Sequence, residues 1–417
     1  MTSHVSAAPE IRPSIYAVAT MDTKGEEILF VADRVRAAGA SVRVIDVGTQ
    51  GTHEWQADVG SDVVAAHHPD GRHAVLTRSD RGEAIAAMSQ ALTAFICEEH
   101  AAGRLSAVVG IGGGGGTSLI TRAMRALPIG VPKLMVSTLA SGNIAPYVDC
   151  SDITMMPAVV DVAGINRISK QILSNAAHAI AGMALGRAAS ADAPRHSTGR
   201  KAIAMTMFGV TTPCVDAVRK TLQAQGYECL VFAATGTGGR AMEKLVERGS
   251  IDAVLDITTT EVADEVVGGV LSAGAERFDR ILARRIPYVM SLGALDMVNF
   301  AAAGTVPEKF RDRRLHVHNA EVTLMRTTPE ENRQIARWIG AKVNRATAPL
   351  TLLIPEHGLS ALDAPGRCFH DPPADAALFD ELESVVRVDR IRRMRRLPLH
   401  INDAAFAQAV VDACLDL

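Results

Sequence analysis

Five consecutive glycines, Gly112 to Gly116, stand between an apolar run that begins at Leu105 and a segment with helical periodicity. Glycine loses more backbone entropy on folding than other residues, so such a run inside a fold needs a reason. A turn from a buried strand into a helix brings free backbone N–H groups and the positive end of the helix dipole together. Because such a point binds anions, we interpret the turn as a phosphate-binding loop that leads into Thr117 and Ser118. A flexible loop or a tight contact between helix and strand is the alternative.

Two common phosphate-binding motifs do not fit this turn. The dinucleotide fingerprint requires an acidic residue at the end of the following strand, whereas the predicted strand 133–138 ends in Ser137 and Thr138. A Walker A loop has lysine before its hydroxyl residue, and the residue before Thr117 is glycine. The sequence therefore favours neither a standard nicotinamide site nor a P-loop NTPase.

Composition excludes several classes of protein. A chain of 417 residues is long enough for two domains, and 48% hydrophobic with 21% charged residues is ordinary for a soluble α/β protein. The net charge of -3 gives no reason to expect a nucleic-acid or membrane partner, and no apolar segment has transmembrane length. The six cysteines form no Cys-x-x-Cys pair, and residues 1–13 read as a loose tail without a signal peptide. We therefore expect a cytoplasmic protein.

Strands and helices alternate along the chain. The first βαβ unit occupies residues 15–46, and the same order restarts at Lys201 after the linker-like segment 189–199. We predict an α/β fold with two Rossmann-like, doubly wound domains, residues 1–195 and 196–417. Their mostly parallel sheets are expected to face a shared cleft.

The turn after the first strand is predicted to lie near the glycine run, because the carboxyl ends of neighbouring parallel strands share one crevice. Asp22 or Thr23 is expected to cap the helix that follows. Lys24 would supply the positive charge that the glycine run lacks. A solvated lysine at a helix start explains the residue equally well.

The second half contains a group of polar residues that we interpret as part of the cleft. Asp296, Asn299 and His318 are candidate catalytic residues, and the same cleft is expected to include Asn319, Arg326, Thr327 and Thr328. His316 and His318 share one face of a predicted strand, which is a metal-ligand spacing. A hydrogen-bonded pair of histidines explains that pattern as well, so we predict no metal site from it.

Several longer motifs resemble the Tm-1-like ATP-binding family, also called UPF0261. The resemblance is carried by residues 19–27, 110–117, 137–142 and 159–166 of the first half, and by 291–299 and 318–328 of the second. These motifs span nearly the whole chain. One departure is the unbroken glycine run, where the family pattern has a serine among the glycines.

The resemblance implies two Rossmann-like domains, an ATP site in the first domain, and a homodimer, but no established reaction. Small residues in the predicted helix 167–188 would let a partner helix approach closely. Mg²⁺ is a possible companion of ATP. The residues expected to bind ATP are Asp22, Thr23, Lys24, Gly112, Gly113, Gly114, Gly115, Gly116, Thr117, Ser118, Ser137, Thr138, Ser141 and Gly142.

Two functions from different classes follow. One is a nucleotide-dependent enzyme that acts on a small polar metabolite in the cleft between the domains. The other is an ATP-stabilised dimeric module that binds a protein without catalysis. The many polar residues in the second half favour the enzyme, because an interaction module has no need of them.

Overall fold

The structure, a computed structural model, describes residues 13–50, 54–191 and 199–417. The chain divides into two compact units, Met1–Arg195 and His196–Leu417. The predicted tail up to residue 12 and the centre of the predicted linker, residues 192–198, lie outside the described residues. Within the described part, no helix is long and apolar enough to span a membrane.

Unit 1 is built on five parallel strands. These are β1 Ser14–Ala19, β2 Val42–Asp46, β3 Leu105–Gly112, β4 Lys133–Ser137 and β5 Thr154–Pro157. Its helices are α1 Met21–Ala37, α2 Ser61–Ala65, α3 His73–Leu76, α4 Arg81–Ala101, α5 Gly114–Ala126, α6 Ala145–Val148 and α7 Arg167–Ala191.

The strand order in this sheet is β2-β1-β3-β4-β5. The apolar residues of α1 and α7 form one core with the sheet, and those of α4 and α5 form another, so helices cover both faces. This is a doubly wound sheet whose order reverses between β1 and β3. In such sheets ligands bind outside the carboxyl ends of the strands at that point, where β1 meets α1 and β3 meets α5.

Unit 2 contains nine strands in two sheets. They are β6 Ala202–Met207, β7 Glu228–Ala233, β8 Ala253–Thr258, β9 Tyr288–Gly293, β10 Met297–Phe300, β11 Leu315–Asn319, β12 Val322–Arg326, β13 Leu350–Pro355 and β14 Arg392–Leu397. Its helices are α8 Thr212–Ala224, α9 Thr237–Glu247, α10 Thr260–Val267, α11 Asp279–Arg284, α12 Pro329–Val343, α13 Pro372–Val385 and α14 Ala404–Leu415.

The large sheet of unit 2 repeats the strand order of unit 1. Its parallel strands run β7-β6-β8-β9-β13-β14. With β6 counted as strand 1 and the strands of the small sheet left out, this is the order 2-1-3-4-5 followed by a sixth strand. A small antiparallel sheet, β10-β12-β11, is inserted between β9 and β13. The predicted α/β fold with two Rossmann-like domains and mostly parallel sheets is confirmed.

Helix α1 begins earlier than the sequence pattern indicated. It starts at Met21, and neither Asp22 nor Thr23 is its N-cap. The Asp46 carboxylate at the end of β2 accepts the Met21 N–H at 3.0 Å, so the capping acceptor comes from the neighbouring strand. The helix is interrupted at Lys24, whose φ of -132° and ψ of 25° are not helical.

Four alanines of α7 pack inside unit 1. Ala176, Ala177, Ala181 and Ala184 are buried in the core that α7 shares with α1 and the sheet. They therefore serve close packing within one chain. Gly182 and Gly186 of the same helix are exposed.

Candidate functional site

The glycine run forms the last residue of β3, a one-residue turn and the start of α5. β3 continues to Gly112, Gly113 is the N-cap in extended conformation, and α5 begins at Gly114 instead of Thr117. The first helical hydrogen bond is donated by Thr117 to Gly113 at 2.8 Å. Helix α5 has no side-chain cap and no acidic residue in its first turn. Among the described residues, nothing accepts a hydrogen bond from the N–H groups of residues 114–116.

Packing restricts two of the five glycines, to different degrees. A Cβ at Gly112 would lie 2.9 Å from the backbone of Gly116, closer than real Cβ contacts allow. A Cβ at Gly115 would lie 2.8 Å from Cδ1 of Ile85 on α4, the end of a flexible side chain that can move aside. These glycines let the helix start pass close to the strand and to its neighbouring helix. Tight packing, the alternative interpretation of the run, therefore explains part of it.

Two other glycines border open space. A Cβ at Gly113 would be 3.8 Å from Thr138 Oγ1, and one at Gly114 would be 3.8 Å from Leu139 Cδ1. These are ordinary contact distances, and Gly114 is exposed. Since packing does not require glycine here, the open backbone leaves room for a ligand beside the helix start.

The hydroxyl groups around the turn divide into buried and exposed ones. Thr117 and Ser137 are fully buried, and their hydroxyl oxygens are 2.6 Å apart. Ser137 Oγ also accepts the Leu139 N–H at 3.0 Å, so these hydroxyls hold the end of β4 against α5. Ser118 and Ser141 are exposed and remain accessible to a ligand.

A cavity of about 390 Å³ adjoins the turn at the carboxyl ends of β4 and β5. Its walls include Thr138 and Ser141, two of the residues predicted to bind ATP, and Gly142 follows them in the same exposed loop. The opposite wall is the segment 157–161 after β5. No residue of that segment was predicted to bind ATP, because β5 is short and carries no turn motif. Its sequence signals are its position after a strand and the motif 159–166, which carries part of the family resemblance.

The segment after β5 has an unusual backbone. Val159 has a φ of 65°, in the left-handed region that β-branched residues avoid, and its side chain is 79% exposed. The loop is anchored behind it, where buried Glu27 accepts the Gly164 N–H at 2.8 Å. Asn166 Oδ1 accepts the Ile168 and Ser169 N–H groups and so caps α7. Residues in such strained conformations cluster at functional sites.

The turn after β1 lies beside the glycine turn in the sheet, because Val18 pairs with Gly110. The Asp22 carboxylate accepts the Gln50 N–H at 3.2 Å, and the Thr23 hydroxyl is 3.1 Å from that of Thr20. Within the described part of the chain, no carboxylate lies within 4 Å of the Lys24 ammonium. That ammonium group therefore carries a positive charge that an anion could pair with.

A second glycine-rich turn, residues 236–240 at the start of α9, already holds an anion. Glu261 Oε1 accepts the N–H groups of Gly236 at 2.7 Å and of Gly239 at 3.1 Å. Glu261 Oε2 accepts from Arg277 Nε at 2.8 Å, and burial raises the pKa of this carboxyl group despite the arginine. A carboxylate of the protein thus occupies the position that a phosphate would take. This contact was not predicted from the sequence, because the turn follows β7 whereas Glu261 follows β8.

The catalytic candidates of unit 2 differ widely in exposure. Asp296 and Asn299 are fully buried, whereas His318 is exposed on β11. Asn299 donates from Nδ2 to Asp264 Oδ2 at 2.6 Å, which joins β10 to α10. His318 is not a hydrogen-bond partner of either residue. The structure therefore gives no evidence that these three side chains work together.

Asp296 lies at the centre of a buried acidic cluster. Its Oδ2 accepts from Ser360 Oγ at 2.8 Å, while its Oδ1 has no hydrogen-bond partner among the described residues. Burial, followed by the nearby Asp363 carboxylate, raises the pKa of Asp296 to about 7. Arg326 donates to Asp375 at 2.6 Å, yet burial raises the pKa of Asp375 to about 8.

The His316 and His318 rings have centroids 6.4 Å apart. Within residues 13–50, 54–191 and 199–417, no group of three or more histidine, cysteine, aspartate or glutamate side chains is placed to hold a metal ion.

Comparison with known proteins establishes the family. Residues 13–189 match the N-terminal domain and residues 200–417 the C-terminal domain of an uncharacterised protein family, UPF0261. The chain is 56% identical over 404 residues to a UPF0261 protein of Rhizobium meliloti, which covers 97% of this chain and 98% of that protein. It is 45% identical over 403 residues to a UPF0261 protein of Clostridium tetani, with 97% and 98% covered. It is also 46% identical over 432 residues to the ToMV resistance protein Tm-1(GCR237) of Solanum lycopersicum, which covers 99% of this chain and 57% of that protein. The resemblance seen in the motifs is thus confirmed, and the chain belongs to the UPF0261 family.

Proposed function

We propose that unit 1 binds a nucleoside triphosphate, with its phosphates on the N–H groups of residues 114–116. One observation carries the proposal: the start of α5 is uncapped, exposed at Gly114, and adjoins a cavity of about 390 Å³. Helix starts with free N–H groups attract anions, and cavities of this size accommodate small ligands. ATP is the nucleotide that the resemblance to the Tm-1-like ATP-binding family implies.

Charge supports the same location. The first turn of α5 has no acidic residue. Lys24 lies near the start of α1, which follows β1, the strand beside β3. The helix dipole and the lysine both favour a negative group there. Mg²⁺ is expected to come with ATP and to be held mainly by the phosphate oxygens, because it retains several of its waters.

The second glycine turn supplies a comparison within the same chain. There Glu261 accepts hydrogen bonds from the N–H groups of Gly236 and Gly239, so a glycine-containing helix start in this chain binds a carboxylate. That position is filled by the protein, whereas the start of α5 has no such side chain.

The test is calorimetric titration of ATP into a Gly114→Asp variant. A Cβ at Gly114 has only one neighbour, at 3.8 Å, so the variant is expected to fold. The new carboxylate would fill the phosphate position and repel it, as Glu261 fills the second turn. Losing two charge-assisted hydrogen bonds of about 1.5–3 kcal/mol each weakens ATP binding roughly a hundredfold or more.

The matched control for this titration is Gly304→Asp, at an exposed glycine of unit 2 that has nothing within 4 Å of an added Cβ. Its affinity for ATP should equal that of the parent. If Gly114→Asp also binds within a few-fold of the parent, ATP binds elsewhere and the proposal is wrong.

We further propose that the bound nucleotide serves an enzyme acting on a small polar metabolite. Support comes from the polar side chains around β10, β11 and β12, of which His318 and Asn319 are exposed and accessible to a metabolite, whereas Asp296 is enclosed. The alternative is an ATP-stabilised dimeric interaction module. A screen of metabolites for ATP consumption decides between them: ATP that stays intact with every metabolite supports the module. A cytoplasmic location fits both, since none of the six cysteines forms a disulfide in the described part of the chain.

A further inference from the structure

The cavity beside the glycine turn has a lining that suits the nucleoside part of a nucleotide better than its phosphates. The residues that line it include two with hydroxyl groups, Thr138 and Ser141, and one acidic residue, the exposed Asp161. The remaining lining residues are apolar, and none of the lining residues is lysine, arginine or histidine. A carboxylate repels phosphate but accepts hydrogen bonds from sugar hydroxyls, as acidic residues do in dinucleotide sites.

The cavity lies next to the glycine turn. Thr138, in its wall, lies 3.8 Å from the point where a Cβ of Gly113 would be. A triphosphate on the amides of residues 114–116 would therefore have the cavity within reach of its sugar. The volume of about 390 Å³ is within the range of small-molecule pockets, so a ribose and a base can be accommodated.

The wall that carries Asp161 is a strained and anchored loop. Val159 has a φ of 65° and presents an apolar side chain that is 79% exposed. The loop is fixed behind the cavity, where Gly164 donates to the buried Glu27 carboxylate at 2.8 Å. The anchored loop keeps Val159 in a left-handed backbone conformation that β-branched residues avoid. Strain held this way is typical of a loop whose shape serves a ligand.

We infer that this loop, 157–161, is the nucleoside-binding wall of the site and that Asp161 makes it selective for ribonucleotides. Asp161 accepts hydrogen bonds from the ribose hydroxyls, and Val159 contacts the base. This inference rests on the proposed nucleotide site at the glycine turn, and it adds the specificity of that site.

The experiment compares four ligands by calorimetry on the full chain: ATP, its 2′-deoxy form, its 3′-deoxy form, and inorganic tripolyphosphate. The parent should bind ATP roughly tenfold or more tightly than at least one deoxy form, because a hydrogen bond to a charged group is lost. In Asp161→Asn that preference should fall to less than about threefold. Tripolyphosphate has no sugar. It should therefore bind Asp161→Asn as tightly as it binds the parent, or slightly more tightly.

The controls separate this inference from the proposed function. Asp70→Asn, at a surface carboxylate whose side chain is 81% exposed, should keep the full preference for ATP. If Gly114→Asp weakens ATP and tripolyphosphate but Asp161→Asn retains the parent's preference for ATP, the phosphate site stands and the role of Asp161 is wrong. If neither ATP nor tripolyphosphate binds the parent, the proposed function and this inference both fail.

Discussion

Asp296 shows what burial does to a single carboxyl group. It is fully buried beside Asp363, and both features raise its pKa to about 7, well above the value of about 3.9 in an unfolded chain. Between those two pH values the folded protein holds a proton that the unfolded chain has released. Folding is therefore favoured at low pH, and that stability is lost as pH rises toward 7.

We therefore expect the contribution of Asp296 to the stability of unit 2 to be lost between about pH 4 and pH 7, with a slope of up to about 1.4 kcal/mol per pH unit. Asp296→Asn, which imitates the protonated acid, should reduce that slope. Urea unfolding, followed by Trp338 fluorescence in a Trp55→Phe background, measures it. Glu276→Gln, at a side chain that is 82% exposed, is the control and should leave the slope unchanged. An equal slope in Asp296→Asn and the parent would contradict the prediction.

The start of α5 shows how one element combines packing with an open site. Gly112 lies against the backbone of Gly116, where a Cβ would be 2.9 Å away. Gly114 has open space and only one neighbour at 3.8 Å. The run therefore has at least two purposes, and sequence alone cannot assign them because all five residues are identical.

These two positions predict opposite effects of alanine on the stability of unit 1. Gly112→Ala forces backbone to move and should destabilise by about 1–3 kcal/mol, as overpacking does. Gly114→Ala should be neutral or stabilise by up to about 1 kcal/mol, because alanine favours the helix. Denaturant unfolding followed by Trp55 fluorescence in a Trp338→Phe background gives both values. Similar destabilisation at both positions would mean that Gly114 is also required by packing.

At the scale of the whole molecule, the homodimer stays a prediction, but its physical basis has changed. Ala176, Ala177, Ala181 and Ala184 of α7 pack within unit 1, so they are not available to a partner helix. The exposed surface of α7 instead presents Met183 and Leu185, 39% and 45% exposed, beside Gly182 and Gly186. Apolar side chains next to glycines allow a close contact with a second copy of the helix.

Light scattering at micromolar concentration should give twice the chain mass of 44.1 kDa. Leu185→Glu should shift the mass toward that of one chain, because it places a charge in the contact. Val388→Glu, at an exposed valine of unit 2, should not. A parent protein with the mass of a single chain would show that the prediction is wrong.

The sequence by itself determined the alternation of strands and helices, the α/β class and the family. These depend on local signals, namely apolar periodicity and motifs of a few adjacent residues. The glycine turn between β3 and α5 was recognisable for the same reason, although its helix begins three residues earlier than predicted.

Only the tertiary structure decided which parts of the site are open. Ser137 pairs with Thr117 across 20 residues of sequence, and Glu261 fills a glycine turn 25 residues before it. The wall at Val159 joins the site because β5 lies beside β4. Each of these contacts depends on how strands are ordered in a sheet, and that order brings together residues whose spacing along the chain carries no signal.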